Sequence, residues 1–251
     1  MLTNSLPDIM SLPPCTIYRE PPLSGAENMR RDELLLEQAV AGQEESTVRI
    51  YRWEVPTVTV GYFQKSLLNP GAPSIPMEGL DPRLIACPRV ARLSGGGAIL
   101  HDQELTYSCT LPVNHPFRSN PLNLYEIIHR AVIDLLKDCG VRAMLREDYD
   151  RTSSGTVDRA AEPFLCFLRS DPNDIVVDGV KILGSAQRRR KGCILQHGSL
   201  LLKASKLTPE LTGLVDLAPN ADLQQLTERL PETVAAAVAE NWRTADWNQN
   251  L

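Results

Sequence analysis

"DIVVDGVKILGSAQRRRKGCILQHGSLLL", residues 174–202, carries the pattern of two strands joined by a tight turn, followed by a third. Apolar residues flank Asp178-Gly179, a dipeptide that suits the positive-φ positions of a tight hairpin turn. Beyond the basic run Arg188, Arg189, Arg190 and Lys191, "GCILQHGSLLL" reads as a further strand. Strands joined by hairpins need no crossover helix, so antiparallel pairing is expected here rather than strict strand–helix alternation.

Working outward, "LIACPRVARLSGGGAILHDQELTYSCTLP" reads as two strands joined through glycines, and "STVRIYRWEVPTVTVGYFQ" as two more broken at Pro56. "NMRRDELLLEQAV" (28–40) predicts a helix capped by Asn28, with Leu34, Leu35 and Leu36 facing inward. "NLYEIIHRAVIDLLKDCG" predicts a second helix, with apolar positions at 124, 127, 128, 131, 132, 135 and 136 and Gly140 at its end. "LNPGAPSIPMEGLDPR" (68–83) reads as a proline-rich loop, and "LREDYDRTSSGTVDRAAEPF" (145–164) as a mobile connector.

The tail reads as short helices, "TPELTGLV", "DLQQLTERL" and "ETVAAAVAENW", the first with a cap at Thr208 and Pro209 in its first turn. The expected fold class is α+β, a mixed β-sheet flanked by helices. It comprises an irregular segment 1–25, a catalytic unit 26–205 and a helical tail 206–251 packed on the same domain.

A chain of 251 residues with 43% hydrophobic content can bury a substantial core. The net charge of -5, from 26 basic and 31 acidic residues, offers no reason to expect a nucleic-acid partner. No apolar run approaches membrane-spanning length, and "MLTNSLPDIMSLPPC" lacks a targeting pattern, so a cytoplasmic protein is expected. Six cysteines without a CxxC and four histidines without HExxH predict a reducing compartment and no metal site.

Three features carry chemistry. Gly95, Gly96 and Gly97 form either a tight turn or a bare backbone able to approach a carbonyl or phosphate, with Arg92, Ser94 and His101 around them. Lys181 stands in an apolar strand, as an edge gatekeeper or as a cation for developing negative charge. The small residues Gly184, Ser185 and Ala186 that follow suggest close approach of a ligand or of backbone. Cys166, between Leu165 and Phe167, is either an apolar filler or a nucleophile.

"NMRRDELLL", "VTVGYFQ", "RLSGGGAILHDQELTYS", "NDIVVDGVKILGSAQRR" and "KGCILQHGSLLL" resemble, in order, the biotin/lipoate protein ligase and octanoyltransferase superfamily. The resemblance implies transfer of an octanoyl or lipoyl group to one lysine of a lipoyl domain of 2-oxoacid dehydrogenases, or of a glycine-cleavage carrier protein. It matches Arg92, Ser94 and Gly95–Gly97 to the acyl-binding glycine motif, His101 and Asp102 to the pair after it, and Lys181 to the family lysine. His197 and Gly198 match the strand that closes the pocket.

Two branches are mixed in the chain. Cys166 and "GSAQRRRKGCILQHGS" resemble the branch that takes octanoate from acyl carrier protein through a cysteine thioester, without a tightly bound cofactor. "SGGGA" and the pair Asn173-Asp174 resemble the branch that activates lipoate with ATP and Mg2+. The spacing of Cys166 from Lys181 favours the transferase. The basic residues Arg188–Lys191 are expected to steer acidic carrier domains, and a non-catalytic acyl-binding protein on the same scaffold is the remaining alternative.

Overall fold

The computed structural model describes residues 11–68, 84, 86–152 and 165–247. The proline-rich loop over 69–83, the connector over 153–164, the first ten residues and residues 248–251 lie outside the described residues.

In chain order the elements are β1 (Cys15–Arg19), α1 (Gly25–Val40), β2 (Ser46–Tyr51), β3 (Thr57–Val60), β4 (Arg89–Ala91), β5 (Ile99–His101) and β6 (Glu104–Leu111). There follow α2 (Asn123–Asp138), β7 (Met144–Leu145), α3 (Arg146–Thr152), β8 (Ile175–Val177), β9 (Val180–Arg190) and β10 (Cys193–Leu201). The last three are α4 (Leu214–Leu217), α5 (Leu223–Ala236) and β11 (Trp242–Ala245). Eight strands form a mixed sheet in the order β11-β1-β2-β6-β10-β9-β8-β7, and β4-β3-β5 form a small second sheet. The α+β expectation holds because hairpins dominate: β6, β10, β9, β8 and β7 pair antiparallel in turn. Asp178-Gly179 and Lys191-Gly192, all at positive φ, make the two tight turns around β9.

Alternation along the central strands divides the sheet into two chemically different faces. Val48 and Ile50 of β2, Leu105, Cys109 and Leu111 of β6, and Ile194 and Leu200 of β10 form one apolar core with α2 and α5. The intervening residues Arg49, Ser108 and His197 are polar, buried, and adjacent across the strands, with Ser108 opposite both Arg49 and His197. Helix α1 covers that face. Its apolar residues pack there through Leu36 and Ala39 against Cys193 and Leu195.

Several expectations are corrected. Helix α1 starts three residues before Asn28, with the Ser24 hydroxyl accepting from the Glu27 N–H at 3.3 Å. Asn28 is a buried tie instead, donating to the carbonyls of Leu23 and Arg52. Leu34 is only half-buried, unlike Leu35 and Leu36.

Part of the segment read as irregular, 15–19, is strand β1, and the end of the tail is strand β11 beside it. Both are short and pair in parallel with residues far along the chain, a partnership that local alternation does not reveal. The Thr208-Pro209 segment forms a turn rather than a helix, closed by the Leu211 N–H on the Thr208 carbonyl at 3.0 Å. The two helices read next are one, α5, with Pro231 inside it. Proline removes a backbone bond there, while Leu226, Leu230 and Val234 keep the helix seated on the main core. The front of the connector is helical as α3. No described helix is long and apolar enough to cross a membrane.

Candidate functional site

A cavity of about 950 Å3 lies between the glycine run, a 3-10 turn at Cys166–Leu168 and the front of β9. The glycine run joins β4 to β5 and folds tightly because two glycines permit it. Gly96 has φ +89, and a Cβ there would lie 3.1 Å from Arg92 Nη2 and 3.8 Å from Cys166 Sγ. A Cβ on Gly61, at the end of β3, would come within 2.2 Å of the Gly96 carbonyl oxygen. The loop therefore threads between β3, a guanidinium and a thiol.

Arg92 holds the loop in that shape. Its Nη2 donates to the carbonyls of Gly95 at 2.8 Å and Gly97 at 2.5 Å. Burial pushes its guanidinium down to about 10, which leaves it cationic at neutral pH. Its Nη1 donates to Thr59 Oγ1 at 3.1 Å, and Thr59 Oγ1 lies 2.8 Å from His101 Nε2. His101 Nδ1 is 2.7 Å from the Glu104 carboxylate.

These bonds are mutually consistent in one direction, from arginine through the hydroxyl and a neutral imidazole to the carboxylate. Burial drives His101 down, and although burial works against the Glu104 charge, its donors hold that carboxyl below the usual range. Trp53 completes the unit by stacking on His101 at 3.9 Å and donating to Glu104 and Thr106.

A second polar chain rises from α1. Asp32 accepts from Arg49, from Ser108 at 2.7 Å and from Tyr51 at 3.1 Å, and lies 3.5 Å from His197 Nδ1. His197 Nε2 is 2.5 Å from Ser94 Oγ. Ser94 is thus fully buried behind the loop, while His197 lines the cavity.

The third group surrounds Cys166. Its N–H donates to the Ala98 carbonyl at 2.8 Å, which ties the thiol-bearing turn to the end of the glycine loop. Lys181 Nζ forms an ion pair with Asp174 at 2.9 Å and donates to the carbonyls of Cys166 at 3.4 Å and Arg169 at 3.3 Å. Three acceptors thus meet three ammonium hydrogens. Burial pushes Asp174 up to about 6 despite the lysine.

A bulge aims these groups. Val176 pairs with Lys181 but Ile175 pairs with Leu183, so Ile182 is an extra residue. Ile182 and Leu183 both enter the core, and Lys181 and Gly184 share the opposite side. A Cβ on Gly184 would lie 2.6 Å from Lys181 Cε, so the glycine clears space for the lysine stem. Gly198 is as tightly constrained, with Ser185 Oγ 2.4 Å from where its Cβ would stand.

The structure brings together Arg92, Gly95, Gly96, His101, Cys166, Asp174, Lys181, Gly184, Ser185, Ala186, His197 and Gly198 around one cavity. Ser94 and Gly97 support it from behind. Asn173 is turned aside, its side chain donating to Asp171 Oδ1. The basic run lies at the far end of β9, where Arg188 stacks over Tyr62 at 4.5 Å, Arg190 faces Glu37, and Arg189 and Lys191 are exposed. Among the described residues no group of three or more His, Cys, Asp or Glu could hold a metal ion. Sequence reasoning missed Asp32, Trp53, Glu104 and His129. Only Asp32 left a signal, as a charged residue in the buried stripe of α1 with Met29, Leu35 and Leu36.

Comparison with known proteins matches residues 24–241 to the lipoyl protein ligase A/B catalytic domain. Octanoyltransferase LipM of Brevibacillus brevis is 35% identical over 189 residues, 72% of this chain and 63% of that protein. Octanoyltransferase LipM of Geobacillus kaustophilus is 34% identical over 217 residues, covering 86% of this chain and 74% of that protein. Among solved structures, lipoate-protein ligase A bound with ATP has a TM-score of 0.60 at 19% identity, with 95% of this chain and 90% of that chain covered. A structure from the analysis of a bi-partite lipoate protein ligase and its E2 lipoyl domain from Thermoplasma acidophilum has a TM-score of 0.60 at 17% identity, over 95% of this chain and 88% of that chain. At these identities the structural likeness speaks to fold.

Proposed function

Since the chain belongs to the lipoyl protein ligase A/B catalytic-domain family, we propose that it is an octanoyltransferase that carries the acyl group on Cys166 and delivers it to a lysine of a lipoyl domain. The observation that carries this reading is the seat of Cys166. Its Sγ faces Gly96 and the Arg92 guanidinium, and its own turn is tied to the glycine loop and to Lys181.

In the first half-reaction the Cys166 thiolate attacks the carbonyl of an octanoyl thioester on acyl carrier protein. The carrier's thiolate leaves, takes a proton, and an octanoyl-cysteine thioester remains. One thioester replaces another, so no ATP is consumed. A thiolate at Cys166 would meet the positive charge of Arg92, which is within electrostatic reach of the sulfur.

In the second half-reaction the neutral amine of the acceptor lysine attacks the Cys166 thioester. An amide forms, the cysteine thiolate is released and the ammonium proton is lost to solvent. In each half-reaction the oxyanion would lie against the glycine loop, with Lys181 exchanging one of its two long carbonyl bonds for it.

ATP-dependent activation of lipoate fits the resident geometry less well. Asn173 Nδ2 donates to Asp171, and Asp174 Oδ2 accepts from Lys181 and from the Asp171 N–H, so these groups are spent within the chain rather than offered to a purine. The exposed Arg189 and Lys191 would contribute to the encounter with acidic carrier domains. The test is octanoyl transfer from acyl carrier protein to a purified lipoyl domain without nucleotide. Transfer is expected with the natural chain and not with Cys166→Ala. Lipoyl-domain modification that strictly requires ATP would overturn the reading.

A further inference from the structure

His129 lies on α2, outside the groups that the transfer chemistry uses, yet both its ring nitrogens are engaged. Nδ1 is 2.5 Å from the Asn173 carbonyl oxygen and Nε2 is 2.6 Å from Ser185 Oγ. A chain of bonds leads to it from the sheet. Gln187 Nε2 donates to Gln196 Oε1 at 2.8 Å, Gln196 Nε2 donates to the Tyr107 hydroxyl at 2.8 Å, and that hydroxyl lies 2.8 Å from Ser185 Oγ.

The Asn173 carbonyl only accepts, so a neutral His129 carries its proton on Nδ1, and the direction is then fixed back along the whole chain to the amide nitrogen of Gln196, which only donates. Tyr107 donates to Ser185, Ser185 donates to the bare His129 Nε2, and the neutral ring keeps its proton on Nδ1, pointing at the Asn173 carbonyl. Burial works the same way and pushes the imidazole down to about 4, while Asp171 and Lys181 act on it in opposite senses. The aromatic Tyr125 meets the ring edge-on at 6.5 Å.

The carbonyl that His129 holds belongs to the Asn173–Asp174 peptide. The N–H of that peptide donates to the Asp171 carbonyl at 3.0 Å. Both sides of the peptide are therefore clamped, and the next side chain along is the Asp174 carboxylate, 2.9 Å from Lys181. We infer that His129 is a positioning residue: the neutral tautomer with its proton on Nδ1 clamps the Asn173 carbonyl and so aims Asp174 at Lys181. This row of hydrogen bonds needs Gly198, because Tyr107 and Ser185 meet across the space its Cβ would fill. Only the kinetic consequence of this inference rests on the transfer reading.

The experiment pairs ring 15N NMR of histidine-labelled protein with transfer kinetics. The resonance pair of His129, assigned by its loss in His129→Asn, should show a protonated Nδ1 and a bare Nε2 from about pH 8 to about pH 5. His129→Leu should lower kcat by about ten- to a hundredfold with KM for the octanoyl donor little changed. His129→Asn, whose amide can donate from the Nδ1 position, should recover most of that loss, and His129→Gln should not.

A proton on Nε2, titration between about pH 6 and 7, or His129→Asn falling as far as His129→Leu would overturn the inference. Should the histidine variants fail to fold, Tyr107→Phe removes the hydroxyl that feeds Ser185, and an unchanged kcat there would equally overturn it. The expected NMR pattern in a protein that transfers no octanoate would support the clamp and reject the transfer reading.

Discussion

Asp32 on α1 and Asp174 before β8 are both buried carboxylates paired with a buried cation, and they are held in opposite ways. Asp32 accepts from Arg49, Ser108 and Tyr51 and faces His197. Burial works against its charge, but these partners prevail and hold the carboxyl below its usual range. Asp174 has Lys181 and one backbone N–H. With so few donors, burial prevails and the carboxyl is pushed up to about 6.

The lesson lies in the number of donors each charge receives. The layer that contains Asp32, Arg49 and Glu20 is saturated with partners and fixes the backbone under the site. The Asp174–Lys181 pair has fewer partners, and in the proposed transfer Lys181 would keep it while giving up one of its longer bonds to the Cys166 and Arg169 carbonyls.

Breaking the first region should have the largest effect. Asp32→Ala leaves Arg49, which cannot shed its proton, with Glu20 as its remaining carboxylate partner. Loss of one member of a buried pair costs about 3–5 kcal/mol, so thermal and denaturant unfolding should show a much less stable protein. Any protein that remains folded should still form the Cys166 thioester. A midpoint shift of only a degree or two would contradict the scaffold role.

Breaking the second region should separate activity from stability. Lys181→Ala should cost about 2.7–4 kcal/mol of transition-state stabilisation, a loss of about a hundred- to a thousandfold in kcat. Its effect on stability should be smaller than that of Asp32→Ala, because the orphaned Asp174 can neutralise itself by taking a proton. Transfer kinetics with circular dichroism on the same preparation check this. Near-natural turnover would remove Lys181 from the chemistry.

The smallest effect is a pH dependence that sharpens the contrast without a mutation. Asp174 has a folded value of about 6, above an unfolded value of about 3.9, so its ionisation destabilises the fold. Its contribution to stability declines as pH rises from the unfolded value to the folded one, and in the folded protein the ion pair with Lys181 is gained only as pH rises through about 6. Asp32, held low, contributes stability that is present above the unfolded value and lost as pH falls through its folded value. Transfer should therefore have an acid limb near pH 6, and Asp174→Asn should abolish that limb. A limb that persists in the variant would assign it to another group.

The second region was the more legible in the sequence, for physical reasons. Gly95–Gly97, the Asp178-Gly179 turn and Lys181 in an apolar strand are each local departures from what a strand tolerates, so they show in a short window. The bulge at Ile182 does not show, because it is a property of pairing with Ile175 and Val176. Nor do Glu104 and His129 stand out, since each has meaning only through partners brought close by the sheet. Strands β1 and β11 were hidden for the same reason. Parallel pairing between residues 15–18 and 242–245 is set by the whole fold and by no local pattern.

The proposed transfer stands or falls with Cys166 as the acyl carrier. Intact-mass measurement after incubation with octanoyl acyl carrier protein, without nucleotide, tests it most directly. An increase of about 126 mass units is expected, one octanoyl thioester, removed by hydroxylamine and absent from Cys166→Ser. The same increase retained in Cys166→Ser, or no increase while lipoyl-domain modification proceeds only with ATP, would contradict it.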